Sequence, residues 1–312
     1  MVHMGRIGHR LGSFADMRRR LAGCRPQRIA VVSAQEAEVL LALQAASGLG
    51  IILPVLVGDQ AATAALLKQL GLDFRCELVA AGSHQEAASL AVGMVARGAA
   101  DGLMKGCIPS ADFLKAVLAR DHGLRTDRPL SHLTAMESPM HGRFIFVTDA
   151  AVNIAPDLQR KRQILENAVA AVQALGIDEP VAAAICAVET VNPAMPATVD
   201  ARALQDMNRA GTIQGVRLLG PVSLDIAISA EAAATKGFDD PAAGHADILL
   251  VPDIETGNVL VKSLHYFAGL EHGGIVLGAA APIVLVSRAD SVQGKLNSLL
   301  LAALLAERNS HG

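Results

Sequence analysis

The sequence predicts an α/β fold in which parallel, helix-covered sheets are built from repeated strand-helix units. Short apolar runs alternate with longer Ala-rich stretches along most of the chain, the pattern of successive βαβ units. The 312 residues are 52% apolar, enough to fill a core in each of about two domains at ~150 residues apiece. Helix-start signals and glycine stops fall where the alternation needs them.

Residues 28–32 read as the first strand. Ser33 with Glu36 reads as a capping box opening a helix that stops near Gly48. The run 50–57 is the next strand, the stretch 61–70 before Gly71 the next helix, and 77–80 a further short strand. Ser83 and Glu86 form a second capping box, whose helix ends at Gly98. Residues 101–105 follow as a strand, Ser110 as the N-cap of a helix through Ala119, and 144–148 as another strand. Beyond Pro156, Leu165, Val169, Val172 and Leu175 mark one face of a helix closed by Gly176. Strands are expected at 181–188, 247–251 and 283–286, helices around 198–209, 230–236 and 258–268, and a final helix over 291–308.

The domain boundary falls near 148–157. The last strand and the final helix have no obvious partner of their own and are expected to return to the first domain. That gives residues 1–149 completed by 280–312 as one α/β unit and 150–279 as the other.

Composition excludes several functions. A net charge of −3, 3% aromatics, no Trp and a single Tyr do not make a nucleic-acid-binding surface. The longest charge-free apolar stretches, 45–58 and 273–287, are broken by Pro or Gly and fall short of the ~18–20 residues a bilayer span needs. Arginines near the amino terminus, Arg6 and Arg10 among them, are not followed by the apolar core of a secretory signal. Cys24, Cys76, Cys107 and Cys186 form no C-x-x-C pair and read as reduced thiols of a cytoplasmic protein. Neither G-x-G-x-x-G after a strand nor a P-loop occurs. His245 and Asp247 lack a third nearby ligand, so no metal site is expected.

Ligands of open α/β sheets bind beyond the carboxyl ends of the strands. Three groups fall there: Lys105-Gly106, Thr148-Asp149, and the run Ser287, Arg288, Asp290 and Ser291. An Arg, a Lys and several hydroxyls converging at strand ends suit a phosphate or another oxyanion. A charged residue at a strand end is equally often only solvated. Cys107 beside Lys105 has the makings of a nucleophile, but without a His/Asn partner motif it reads as a small buried thiol. Asn258 reads as the N-cap of the helix carrying Leu260, Leu264 and Phe267, with ligand contact as an additional role.

Five segments, in order, carry a resemblance: 100–106 (ADGLMKG), 147–156 (VTDAAVNIAP), 187–193 (AVETVNP), 246–252 (ADILLVP) with Gly257-Asn258, and 287–291 (SRADS). Together they resemble the phosphate acetyltransferase/phosphate butyryltransferase family over about residues 28–305. The resemblance implies the isocitrate/isopropylmalate-dehydrogenase-like fold, two α/β domains around a cleft, and a homodimer. It implies reversible acyl transfer between CoA and inorganic phosphate, with both as substrates and no cofactor or metal. Lys105-Gly106 and residues 153–156 look more like the butyryl branch, so the acyl chain is acetyl or butyryl.

The family's Ser-Arg pair falls on Ser287 and Arg288, at the position for phosphate and CoA recognition. Where the acetyl branch carries an aspartate base a few residues on, Gly294 stands here. Asp290 is therefore the expected base and Asp149 the second choice, with Ser291 and Thr148 as donors, Lys105 on the CoA or acyl-phosphate charges, and Asn258 in the binding site. Two rivals remain at this stage. An NAD-dependent hydroxyacid dehydrogenase on the same fold would need clustered aspartates around a divalent metal, and a non-catalytic acyl-CoA/phosphate-binding protein would keep the binding residues without turnover.

Overall fold

The computed structural model describes residues 11–121 and 123–309; Arg6 and Arg10 lie outside them. In chain order α1 (Phe14–Leu21) leads to β1 (Gln27–Val32), α2 (Ala37–Gly48), β2 (Ile52–Gly58), α3 (Gln60–Gln69), β3 (Glu77–Ala80), α4 (His84–Ala96), β4 (Gly102–Lys105) and α5 (Ser110–Val117). Antiparallel β5 (Ser131–Ser138) and β6 (Arg143–Thr148) follow, then α6 (Leu158–Ala174), β7 (Val181–Ile185), α7 (Pro196–Arg209), β8 (Arg217–Val222), α8 (Leu224–Ile228) and α9 (Ala230–Thr235). Last come β9 (Ile248–Leu250), α10 (Ile254–Tyr266), β10 (His272–Leu277), β11 (Ile283–Val284) and α11 (Val292–Asn309).

All the strands join one 11-stranded sheet in the order β3-β2-β1-β4-β11-β10-β5-β6-β9-β7-β8. The two parallel blocks expected from the sequence are present at its ends, β3 to β11 and β6 to β8. They are not separate sheets. Antiparallel β10 and β5 bridge them, pairing with β11 and β6 respectively. These two strands escaped the sequence reading because Ser131, His132, Thr134 and the pair Gly273-Gly274 interrupt their apolar pattern. β8 escaped likewise, since Gly220 and Pro221 punctuate it.

β11 lies between β4 and β10, so the end of the chain does return beside the first strands. α11 packs on β10, α2 and α1. Leu296, Leu299, Leu300, Leu301, Leu304 and Leu305 of α11 share one buried cluster with Phe14, Leu40 and Leu43. Phe14 meets Phe144 edge-on at 4.9 Å, which ties α1 to β6. Close approach of α11 to the sheet needs Gly273, where a Cβ would come 2.8 Å from the Asn297 carbonyl carbon.

Three local expectations are corrected. Ser83 caps α4, accepting from Glu86 N–H while Glu86 Oε2 accepts from Gly82 N–H, but Ser33 does not cap α2. Its φ of +55° turns the chain at the end of β1, and α2 starts at Ala37 with no side-chain cap. Ser110 is the first helical residue of α5, after Pro109. The N-cap of α10 is Asp253, whose carboxylate accepts from Thr256 N–H at 2.8 Å, and Asn258 lies inside the helix.

Candidate active site

The strand order reverses at β1: the chain passes from it to β2 on one side and, later, to β4 on the other. A crevice at such a point is where open α/β sheets take their ligands. Here it is closed at the base by a tight junction. Gly106 N–H donates to Val32 O at 2.9 Å and Cys107 N–H to Ser33 O at 2.6 Å. Position 106 must be Gly, because a Cβ would lie 2.2 Å from Ser33 O. Ser33 Oγ lies 2.8 Å from His84 Nδ1.

Lys105 ends β4 beneath this junction, buried, with Nζ donating to Gly106 O at 3.1 Å. Burial pushes its amine below the usual lysine range; Glu36 pulls the other way, and Arg288 and Lys295 add to the lowering. Lys105 at the strand end therefore sits in the combined field of Glu36, Arg288 and Lys295.

The Ser287–Ser291 turn is the most organised part of the site. Asp290 Oδ2 accepts from Ser287 N–H at 2.8 Å, and Asp290 N–H returns to Ser287 O at 3.1 Å. Lys295, 1% exposed, donates to Asp290 O at 2.6 Å and reaches Ser287 O and Arg288 O at 3.4 Å each. Its Nζ lies 3.8 Å from Glu36 Oε1. Ser291 Oγ accepts from Gly294 N–H at 3.0 Å and so caps α11. The positive end of an 18-residue helix thus opens on the turn, and Arg288 stands exposed upon it.

Histidines, which the sequence reading passed over, complete this end. β10 runs antiparallel to β11, which delivers its first residue, His272, beside the turn. His272 Nε2 is 3.8 Å from Asp290 Oδ1, and its ring packs edge-on against His265 at 4.5 Å. A Cβ at Gly294 would point at the same imidazole, 3.5 Å from Nε2. His132 of β5 lies over Gly274, where a Cβ would come 2.7 Å from its Nε2. Burial pushes His132 below the usual histidine range, against the pull of the Asp149 and Asp290 charges. Burial raises the Asp290 pKa, but His272, Ser287 N–H and Lys295 outweigh it and hold the carboxyl below its ordinary range.

The expected residues of the other parallel block are placed differently. Thr148 Oγ1 donates to His132 O at 2.8 Å and is fully buried, so its proton is committed to the backbone. Asp149 Oδ1 accepts from Ala151 and Val152 N–H, and Oδ2 from Asn153 N–H and Nδ2. All four lone-pair positions are taken; the carboxylate shapes the 149–153 loop and has no room for a substrate proton. Asn258 is exposed, its Nδ2 3.5 Å from Ala150 O, on a helix that Gly257 lets approach the same loop. Asp247 accepts from Val181 N–H and pairs with Arg143; among the described residues there is no group of three His, Cys, Asp or Glu that could hold an ion.

Residues 77–303 match the family model described as "Phosphate acetyl/butaryl transferase". The chain is 43% identical over 295 residues to phosphate butyryltransferase of Clostridium acetobutylicum, covering 94% of this chain and 98% of that one. It is 44% identical over 264 residues to a phosphate acetyltransferase of Rhizobium meliloti, covering 84% of each. Among solved structures it resembles a branched-chain phosphotransacylase from Enterococcus faecalis V583, with a TM-score of 0.80, 32% identity and coverage of 90% and 99%. With the dehydrogenase-like α/β fold, the ordered motifs and these relatives in agreement, the chain belongs to the phosphate acetyl/butyryl transferase family and is a phosphate acyltransferase.

Proposed function

We propose that the chain moves a short acyl group reversibly between CoA and inorganic phosphate by direct attack within a ternary complex. One observation carries this reading: the Ser287–Ser291 turn sits at the amino end of α11 and beside the β1/β4 crevice, with Arg288 exposed on it and Lys105 beneath. Arg288 grips the phosphate by two parallel hydrogen bonds, and the Ser287 and Ser291 hydroxyls and the helix end add donors. Lys105 balances the remaining acyl-phosphate or CoA charge. Asp290 supplies the negative charge that governs proton transfer at the thiol. Thr148, Asp149 and Asn258 form the facing wall, shaping it rather than reacting.

Residues 1–149 with 280–312 form one unit and 150–279 the other, and the two close on the substrates, which holds both reactants in one place and keeps water out. The chain works as a homodimer. Support comes from the exposed apolar side chains of Val259 (65%) and Tyr266 (66%) on α10 and of Phe267 (92%) at its C-cap. No helix among the described residues is long and apolar enough to cross a membrane, and four free cysteines suit the cytoplasm.

The test is thiol release from acetyl-, propionyl- and butyryl-CoA with phosphate present and absent. Phosphate-dependent release with at least one of them, with intersecting rather than parallel initial-rate lines, is expected. No release with any of the three would defeat the reading.

A further inference from the structure

Resting on that reading, we propose that His272 is the catalytic base: its Nε2 takes the proton of the CoA thiol, and Asp290 steadies the imidazolium that results. The site needs a proton acceptor, and its carboxylates are poorly suited to the task. Asp149 has all its acceptor positions filled. Glu36 faces the buried ammonium of Lys295. Asp290 accepts from Ser287 N–H on one oxygen, and His272, that N–H and Lys295 hold its carboxyl below the ordinary range, which weakens it as a proton acceptor.

His272 is held in the required place without being used up. The 3.8 Å between its Nε2 and Asp290 Oδ1 exceeds a hydrogen bond, so the lone pair is not consumed in the resting site. Edge-on packing against His265 fixes the ring plane, and His265 is itself anchored, its Nδ1 3.1 Å from Leu270 O. Gly294 leaves the space next to Nε2 without a side chain. The titratable groups around the imidazole are Asp290 from the turn, His265 from α10, His132 from β5, Lys295 from α11 behind Asp290, and Glu271 next to it on the chain. Of these, Asp290 is the one whose charge pairs with a protonated His272.

In the thiol-consuming direction the S–H proton passes to Nε2 while sulfur forms the C–S bond with the acyl carbon. The C–O bond to phosphate then breaks and phosphate leaves with its electron pair. In reverse, phosphate attacks the thioester and the departing thiolate takes the proton back from the imidazolium. No other reactant is needed.

The experiment compares wild type, His272→Gln and Asp290→Asn in the acyl phosphate plus CoA direction across pH 5 to 9. A general base contributes about 10²–10⁴ in rate, so His272→Gln is expected to lose ~100-fold or more in kcat, with KM for CoA little changed and the acid limb of the profile gone. Asp290→Asn is expected to keep an acid limb and to lose less in kcat than His272→Gln, because the imidazole that takes the proton is still present. A structural role would not separate the two profiles in this way. On native wild type, diethyl pyrocarbonate should inactivate by labelling His272, with protection by CoA; this reading stands even if His272→Gln fails to fold. A folded His272→Gln with wild-type kcat and acid limb, or inactivation that leaves His272 unlabelled, would overturn the proposal. Wild type without phosphate-dependent thiol release would instead overturn the acyl-transfer reading itself.

Discussion

Replacing Lys295 by Met keeps the length and volume of the side chain but removes its charge, and the structure sets the scale of the loss. The ammonium is buried, makes one short bond to Asp290 O at 2.6 Å, two long ones at 3.4 Å to Ser287 O and Arg288 O, and faces Glu36 at 3.8 Å. A charge-assisted hydrogen bond contributes about 1.5–3 kcal/mol, and the two long contacts add little. Stranding Glu36 brings the expected total to about 2–4 kcal/mol, below the upper figures for a fully buried broken pair because Glu36 keeps some exposure to water. Thermal melting should fall by at least ~4 °C, taking about 2 °C per kcal/mol for a chain of this size. The phosphate KM should rise more than the CoA KM, since three carbonyls of the Ser287–Ser291 turn lose their common donor. Glu36→Gln, which leaves Lys295 its carbonyl acceptors, should do less on both measures. A Lys295→Met protein that melts within 1 °C of wild type, as read by far-UV circular dichroism, and binds phosphate normally would refute the idea that this ammonium organises the turn.

Arg288→Lys keeps the charge but loses the fork, and should cost on the order of 1.5–3 kcal/mol in kcat/KM for phosphate; unchanged phosphate kinetics in a folded Arg288→Ala protein would remove Arg288 from the site. Cys107→Ser should retain most activity, because direct transfer needs no acyl-enzyme, and an acylated Cys107 found by mass spectrometry would contradict this. Phe267→Asp should shift the mass measured by light scattering from dimer to monomer while leaving the fold intact; an unchanged dimer would place the interface elsewhere. The depressed Asp290 carboxyl favours the folded state above the ordinary carboxylate range, and that contribution fades as pH falls through its lowered folded value. Asp290→Asn should therefore flatten the acid side of the stability-pH curve, measured by urea unfolding from pH 6 down to pH 3, and an identical slope in both proteins would count against it.

Much of the parallel part of the fold was legible. Ser83, Gly98 and Gly176 punctuate their helices as local physics requires, and the strand end at Lys105 and the turn beginning at Ser287 could be found because apolar runs stop there. The antiparallel middle was not. Searching beyond carboxyl ends of strands finds Lys105, Arg288 and Asp290, but His272 stands at the amino end of its strand and reaches the same place only because β10 runs the other way. Lys295 was hidden differently, as one polar residue in an apolar helix, and only the packing of α11 shows its ammonium beneath the turn. Thr148 and Asp149 met the same strand-end criterion as Lys105, and it was the backbone donors around them, invisible in sequence, that set them apart.

The position of β11 and α11 has a consequence for synthesis. Ribosomes add about 5–20 residues per second, and the strand that fills the gap between β4 and β10 is made after every other strand of the sheet. Until it emerges, β4 has an open edge and the faces of α1, α2 and β10 that α11 covers stand in water, so a nascent chain long enough to contain every other strand still lacks its central seam. Lys105 and the Ser287–Ser291 turn meet only when that seam closes. Catalytic competence and protection from edge-to-edge aggregation therefore arrive together, in one late event, and a ribosome stalled shortly before α11 would hold a chain that is both inactive and exposed to chaperone capture.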